Sequence, residues 1–446
     1  MNRFGLICVL LLSITATIVC AQNDIPGPEV APQPQESDNT QYLQTEPLPL
    51  SGAQEITLGN TENNFLLSSL RVFQMLETNP LGTGTSSASA TAVYGRITLQ
   101  RDGRRSQTRL RLGSGETFYP SQSGLNSNYE SLSVGQTIGW QRWEFRFASE
   151  LFHSPRTNFG DLEHFTRPAQ LIDETGISQL VIPDQSIFTQ QLARLSVSSL
   201  GEAQYKLGSQ TSFTASAGFS ELRFLVGGLT NVNQFTFLTG INHALNARDT
   251  VTLAYGRNIF DLHGITHSID ADFVEAAYGH QLTGKLLFDM SLGPQVLHDA
   301  FGPGGHLFIG GHSSLEYKAA RGDLMLTFLR SITAGSGVLV GAQTNTIELS
   351  EALTLSRNWT GSASLGYARN ANLENANGQK SKPLLGGYAG LMIARRLSSG
   401  ASLFFSYNLQ RQNLGGPCLM GGCSAGPRRD QIIGGIDLDL HPIHIR

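Results

Sequence analysis

The stretch RWEFRFASEL, Arg142 to Leu151, reads with a period of two: Trp143, Phe145, Phe147 and Leu151 share one parity, and Arg142, Glu144, Arg146 and Glu150 share the other. In an extended chain successive side chains point to opposite faces, so this stretch is a strand with one apolar and one charged face. A helix would need apolar residues three and four apart, which the stretch lacks.

The same two-sided texture recurs from about residue 90 to the C-terminus. Val93, Ile97 and Leu99 stand against Tyr94, Arg96 and Gln100, and Leu132, Val134, Ile138 and Trp140 against Ser133, Gly135 and Thr137. Later examples include Phe213 to Phe219, Leu286 to Leu292, Leu324 to Phe328, Leu403 to Leu409 and Ile432 to Leu440. Eight very short links join these segments in pairs: Arg101-Asp102-Gly103-Arg104, Gln141-Arg142, Leu207-Gly208-Ser209, Ala247-Arg248-Asp249, Leu282-Thr283-Gly284, Ala320-Arg321-Gly322-Asp323, Ser356-Arg357-Asn358 and Leu397-Ser398-Ser399-Gly400. Gly and Asp-Gly at such links supply the backbone freedom that hairpins require. Longer Gly- and Asn-rich connections lie between the pairs, for example over 258–267, 369–382 and 413–429.

Short turns at one end and long loops at the other predict a transmembrane antiparallel up-and-down β-barrel, with periplasmic turns and extracellular loops. Counting turns gives about sixteen strands; Gln431 to Leu440 adds one more, and an even count asks for an additional first strand, for which Asn64 to Met75 is the candidate, giving about eighteen. A soluble sheet protein would turn its polar parity to water and hide the apolar one. Here the polar parity is rich in Gly, Ser, Thr and charge and suits a wet lumen.

The rest of the chain fits export. Residues 1–21 read as a signal peptide, with Arg3 before an apolar core and a Val19-Cys20-Ala21 ending, and cleavage is expected after Ala21. A lipoprotein reading of Cys20 would want a small residue where Val19 stands. Residues 22–60 are Pro-, Gln- and acid-rich, without Lys or Arg, and read as a disordered periplasmic tail. Residues 61–446 form the barrel. Later in the chain no run of about 18 apolar residues offers a membrane helix.

A net charge of −4 on 446 residues gives no basic surplus for nucleic acid. Of the four Cys, Cys8 and Cys20 leave with the signal, and Cys418 and Cys423 are expected to form a local disulfide in an oxidising compartment. A metal site there would need further ligands that the segment lacks.

The hairpin series, the aromatic placement and the signal resemble bacterial outer-membrane β-barrel proteins of the porin-like kind. Units such as Gln281 to Gly293 and Arg357 to Arg369 are similar to uncharacterised barrels of acidobacteria. The resemblance is architectural and covers roughly residues 65–446. The ending His441-Pro-Ile-His-Ile-Arg446 departs from it, because such barrels often end on an aromatic residue read by the assembly machinery. The resemblance implies a channel for passive diffusion of small hydrophilic solutes in the outer membrane. The alternative is a non-conducting barrel with a surface-binding or structural role. Outer-membrane lipid, the barrel-assembly machinery and, by analogy, a second copy of the chain are the implied partners; no cofactor is implied.

Lumen candidates are Arg96, Arg109, Arg111, Arg142, Glu144, Arg146 and Glu150, all on the polar parity of early strands. The insertion after Leu151 carries Asp161, Glu163, Asp173, Glu174 and Asp184, with an apolar patch over Ile177 to Ile182. A structureless loop of that length is commonly functional. Folded inward, it would set its acids across from the arginines and make a charged constriction. The competing arrangement keeps it on the outer surface while the arginines pair locally.

Trp140, Trp143, Tyr205, Tyr317 and Trp359 sit beside short turns, as a periplasmic aromatic girdle or as hairpin packing. Asp437 and Asp439 are expected to face inward. His280, His306 and His312 are scattered and do not spell a catalytic set, and the Gly-rich runs lack the strand-to-helix context and Lys of a phosphate loop. The chain therefore reads as a non-enzyme.

Overall fold

The computed structural model describes residues 64–79, 87–103, 105–154, 193–225, 230–263, 268–298, 306–333, 341–373, 383–413, 428–440 and 442–444. The expected signal peptide, the Pro-rich tail, Cys418, Cys423 and the insertion acids Asp161, Glu163, Asp173, Glu174 and Asp184 lie outside those residues.

In chain order the strands are β1 (Phe65–Thr78), β2 (Ser87–Asp102), β3 (Ser106–Phe118), β4 (Ser127–Gly139), β5 (Trp143–Ser154), β6 (Arg194–Lys206), β7 (Thr211–Phe224), β8 (Val232–Ala244), β9 (Asp249–Leu262) and β10 (Ile269–Thr283). They continue as β11 (Leu286–His298), β12 (His306–Ala319), β13 (Gly322–Thr333), β14 (Ala342–Ser356), β15 (Trp359–Asn372), β16 (Leu384–Ser398), β17 (Ala401–Asn413), β18 (Arg428–Asp439) and the two-residue β19 (Ile443–His444). The one described helical turn is a 3-10 turn at Ser123–Leu125, and no described helix is long and apolar enough to cross a membrane.

Each strand from β1 to β18 pairs antiparallel with its neighbours in sequence, and β1 also pairs with β18 in the register Ser69↔Asp439 to Glu77↔Gln431. The sheet thus closes into a barrel of 18 long strands, and β19 adds two pairs at Phe65 and Leu66. Closure satisfies every strand edge internally, which a sheet in hydrocarbon requires. The expected additional first strand is present as β1.

All eight sequence-read short links fall between strands, at one end of the barrel. The β8–β9 link shows the local cause: the Asn246 side chain accepts the N–H groups of Arg248 (2.7 Å) and Asp249 (3.0 Å), an Asx turn that reverses the chain.

The two parities separate cleanly. Leu253, Leu292, Leu307, Ile309, Leu365 and Phe405 are exposed on the convex face, which is apolar round the ring. Inward residues crowd together on the concave face and lose exposure. Thr98, Thr214, Ser216, Thr236, Ser291, Thr346 and Gln431 are buried there.

Glycines let inward aromatic rings lie flat on the wall. A Cβ at Gly115 would stand 2.0 Å from Tyr94, at Gly256 2.2 Å from Phe273, and at Gly366 2.0 Å from Tyr388.

Toward the long-loop end the inner face turns apolar in two places. Leu222, Phe224, Val232, Phe260, Leu262, Ile269 and Leu297 form one cluster on β7–β11. Phe73, Met75, Ala88, Ala90, Ala92 and Ile433 form another on β18–β1–β2, joined by Tyr119 and Leu125 from the β3–β4 link. That link therefore folds over the inner face at the mouth. The Tyr119 hydroxyl donates to Glu77 Oε2 at 3.1 Å, and Glu77 also accepts from the buried Arg429.

Candidate functional site

Register fixes what faces the lumen. On β1–β5 the inward positions hold Arg71, Arg96, Arg109, Arg111, Arg146, Glu144 and Glu150, because Ser69↔Arg96↔Gly113, Thr98↔Arg111↔Ser133, Gln100↔Arg109 and Thr137↔Arg146 are cross-strand partners. Six of the seven sequence-read wall residues thus share one inner sector. Arg142 does not join them: β5 begins at Trp143, and Arg142 sits exposed in the short turn, where its carbonyl accepts the Lys206 N–H at 2.8 Å.

The arginine wall is anchored by nearby acceptors. Arg109 Nη2 donates to Gln100 Oε1 at 3.0 Å. Arg146 donates to Glu144 at 2.7 Å and lies 3.6 Å from Glu202 of β6. Arg71 forms a two-point ion pair with Asp437, its second contact at 3.3 Å, and its guanidinium lies 5.2 Å from the Phe404 ring centre. Asp437 faces inward as expected, and it pairs with Arg71 across the closing seam. An aromatic arc runs above this wall: Phe73 on Tyr94 (5.5 Å), Tyr94 on Tyr129 (5.5 Å) and Tyr129 on Phe152 (5.2 Å).

A second charged sector went unread in the sequence. On β10–β14 the inward positions hold Glu275, Asp289, His312, Glu316, Lys318, Asp323 and Glu348, by the pairs Gly279↔Asp289↔Ser314, Ser291↔His312↔Leu329, Lys318↔Asp323 and Thr327↔Glu348. Its centre is His312. Nε2 faces Asp289 at 2.7 Å, while Nδ1 faces Ser291 Oγ at 2.5 Å and Glu275 at 3.4 Å. A doubly protonated ring would donate to an acceptor at each nitrogen. Lys318 stands 3.4 Å from Glu316, so the sector keeps a surplus of carboxylates.

In a ring of eighteen, β3 and β12 are nine strands apart, so the arginine wall and the carboxylate wall face each other across the lumen. The signal that could have found the second wall was the lone acids at inward parity of successive strands.

The Ser291, His312 and Asp289 side chains form a chain of the kind hydrolases use, but Ser291 is 2% exposed and its oxygen also accepts the His312 backbone N–H at 3.2 Å. It serves to hold the imidazole. No cluster of metal-ligating side chains occurs among the described residues.

The girdle candidates Trp140, Trp143, Tyr317 and Trp359 are exposed on the convex face at the short-turn end, and Tyr205 lies against Trp143 with ring centres 4.6 Å apart and planes tilted by 44°. Arg395 lies over Trp359 at 5.5 Å.

No protein-family model and no curated protein matches the chain. Among solved structures it is similar to Pseudomonas aeruginosa OccK5 (OpdH), with 11% identity, 85% of this chain and 99% of that one covered, and a TM-score of 0.44. Pseudomonas aeruginosa OpdL matches at 11% identity over 85% and 99% of the two chains, with a TM-score of 0.45. The ferric preacinetobactin receptor BauA of Acinetobacter baumannii matches at 8% identity over 85% and 80%, with a TM-score of 0.41.

Proposed function

We propose that the chain is a porin-like channel of the bacterial outer membrane, through which small hydrophilic solutes diffuse passively between two oppositely charged walls. The observation that carries this reading is the closed barrel whose convex face is apolar and whose concave face sets Arg96, Arg109, Arg111 and Arg146 opposite Glu275, Asp289, Glu316 and Glu348. An apolar belt of that kind is stable against lipid tails, and a polar inner surface is stable only with water or a polar solute against it. The walls orient a dipolar solute as it passes and weigh anions against cations by position. β1 begins and β18 ends at the short-turn end, and this reading puts the turns on the periplasmic side.

The test is purified protein in a planar bilayer. Discrete, voltage-independent conductance steps are expected. Correctly folded, inserted protein that yields no steps would contradict the channel.

A second reading, a barrel closed to solutes that acts through its surface, draws support from the two apolar clusters near the mouth, where Val232, Leu297 and Met75 are almost fully covered. The same bilayer record separates the two.

A further inference from the structure

The convex face carries arginines near the long-loop end, and they fall into two groups. Arg223, Arg257 and Arg428 each hold a carboxylate of their own, Glu221 at 2.6 Å, Asp270 at 2.7 Å and Asp430 at 3.0 Å. Arg330, Arg369 and Arg411 are exposed as well, but their guanidinium groups form no ion pair or hydrogen bond among the described residues. These three are neighbours. Arg330 and Arg369 both register with Asn345 from either side, while Arg411 registers with Gly387 of β16, itself the partner of Tyr367, one outward position below Arg369.

Immediately below them the apolar face is grooved. Gly387 and Ala389 floor the β16 part of a shallow hollow of about 450 Å³ that reaches across β13–β17, bounded by Leu326, Ile347 and Leu349, by Leu365 and Tyr367, and by Leu409, with Arg411 at its upper end. Small residues on β16 between large ones on β15 and β17 make that part a furrow.

We infer that this face binds one phosphate-bearing lipid of the outer leaflet, its headgroup on Arg330, Arg369 and Arg411 and one acyl chain along the β16 furrow. Guanidinium groups without a carboxylate, at the rim of an apolar belt, are matched by a phosphate through paired hydrogen bonds, and a neutral headgroup leaves them uncompensated. Nearby Asp430 is already held by Arg428, Tyr407 and Thr78, so it does not compete. The assignment rests on the barrel's place in an outer membrane with its long loops outside.

Native mass spectrometry of the detergent-solubilised protein with diphosphorylated lipid A as probe tests it. The wild type should retain one lipid A, and R330Q/R369Q/R411Q should lose retention by roughly a hundredfold, three interfacial charges together. Lipid A stripped of both phosphates should bind wild type and variant equally weakly, and Arg257→Gln, which alters an already paired arginine, should leave retention unchanged. Equal retention by the triple variant, or equal binding of the stripped lipid, would overturn the assignment. Loss of a protein dimer in place of a lipid adduct would do so too, and would give the face to a second copy of the chain. Insertion of wild type into pure phosphatidylcholine vesicles is scored alongside: failure there counts against the membrane reading, whereas normal insertion without lipid A retention counts against this site alone.

Discussion

The two walls of the lumen hold charge in different ways. The arginines of β1–β5 lean on separate acceptors spread over neighbouring strands: Asp437 for Arg71, Gln100 for Arg109, and Glu144 with Glu202 for Arg146. On the facing side, Asp289, Glu275 and Ser291 converge on the single imidazole of His312. A distributed wall tolerates the loss of one member electrically but not always structurally. A centred wall changes as a whole when its centre is removed.

The largest effect is expected where the distributed wall also closes the barrel. Asp437→Ala would leave the Arg71 guanidinium without its ion pair at the β1–β18 seam, at a cost of about 3–5 kcal/mol. Urea unfolding in vesicles, followed by the turn-end tryptophans, should show the midpoint fall accordingly, and an unchanged midpoint would break the comparison.

His312→Ala should cost less, about 1.5–3 kcal/mol from lost charged hydrogen bonds, and should move ion selectivity toward cations because two carboxylates lose their common partner. Stability loss without a selectivity shift would mean that the centre is structural only.

Gly115→Val sharpens the other side. A Cβ 2.0 Å from Tyr94 must push the ring off the wall and break its 2.9 Å hydrogen bond with Thr117, at about 1–3 kcal/mol. Gly115→Val combined with Tyr94→Ala should recover most of the loss.

Legibility in the sequence followed the same contrast. Arg142 to Leu151 announced a sheet because bulky apolar and charged residues alternate in it, and the same alternation in the neighbouring early strands set Arg96, Arg109, Arg111 and Arg146 on one parity, although Arg142 fell in the turn. The acids of the facing wall come one to a strand amid Gly, Ser and Thr, so no local window held them together; only register joins Glu275, Asp289 and Glu348. β1 was hard to read for a different reason: its inward Phe73 and Met75 lie in an apolar interior cluster, so both parities are apolar and alternation fades. The Arg71–Asp437 pair is separated by 366 positions and depends on closure itself.

The most direct measurement is the reversal potential across a planar bilayer under a salt gradient, compared between R109S/R111S and E275Q/D289N. Two facing walls predict shifts of opposite sign, toward cations in the first and toward anions in the second. Shifts of the same sign, or none in either variant of a conducting, folded protein, would contradict opposed walls in the permeation path.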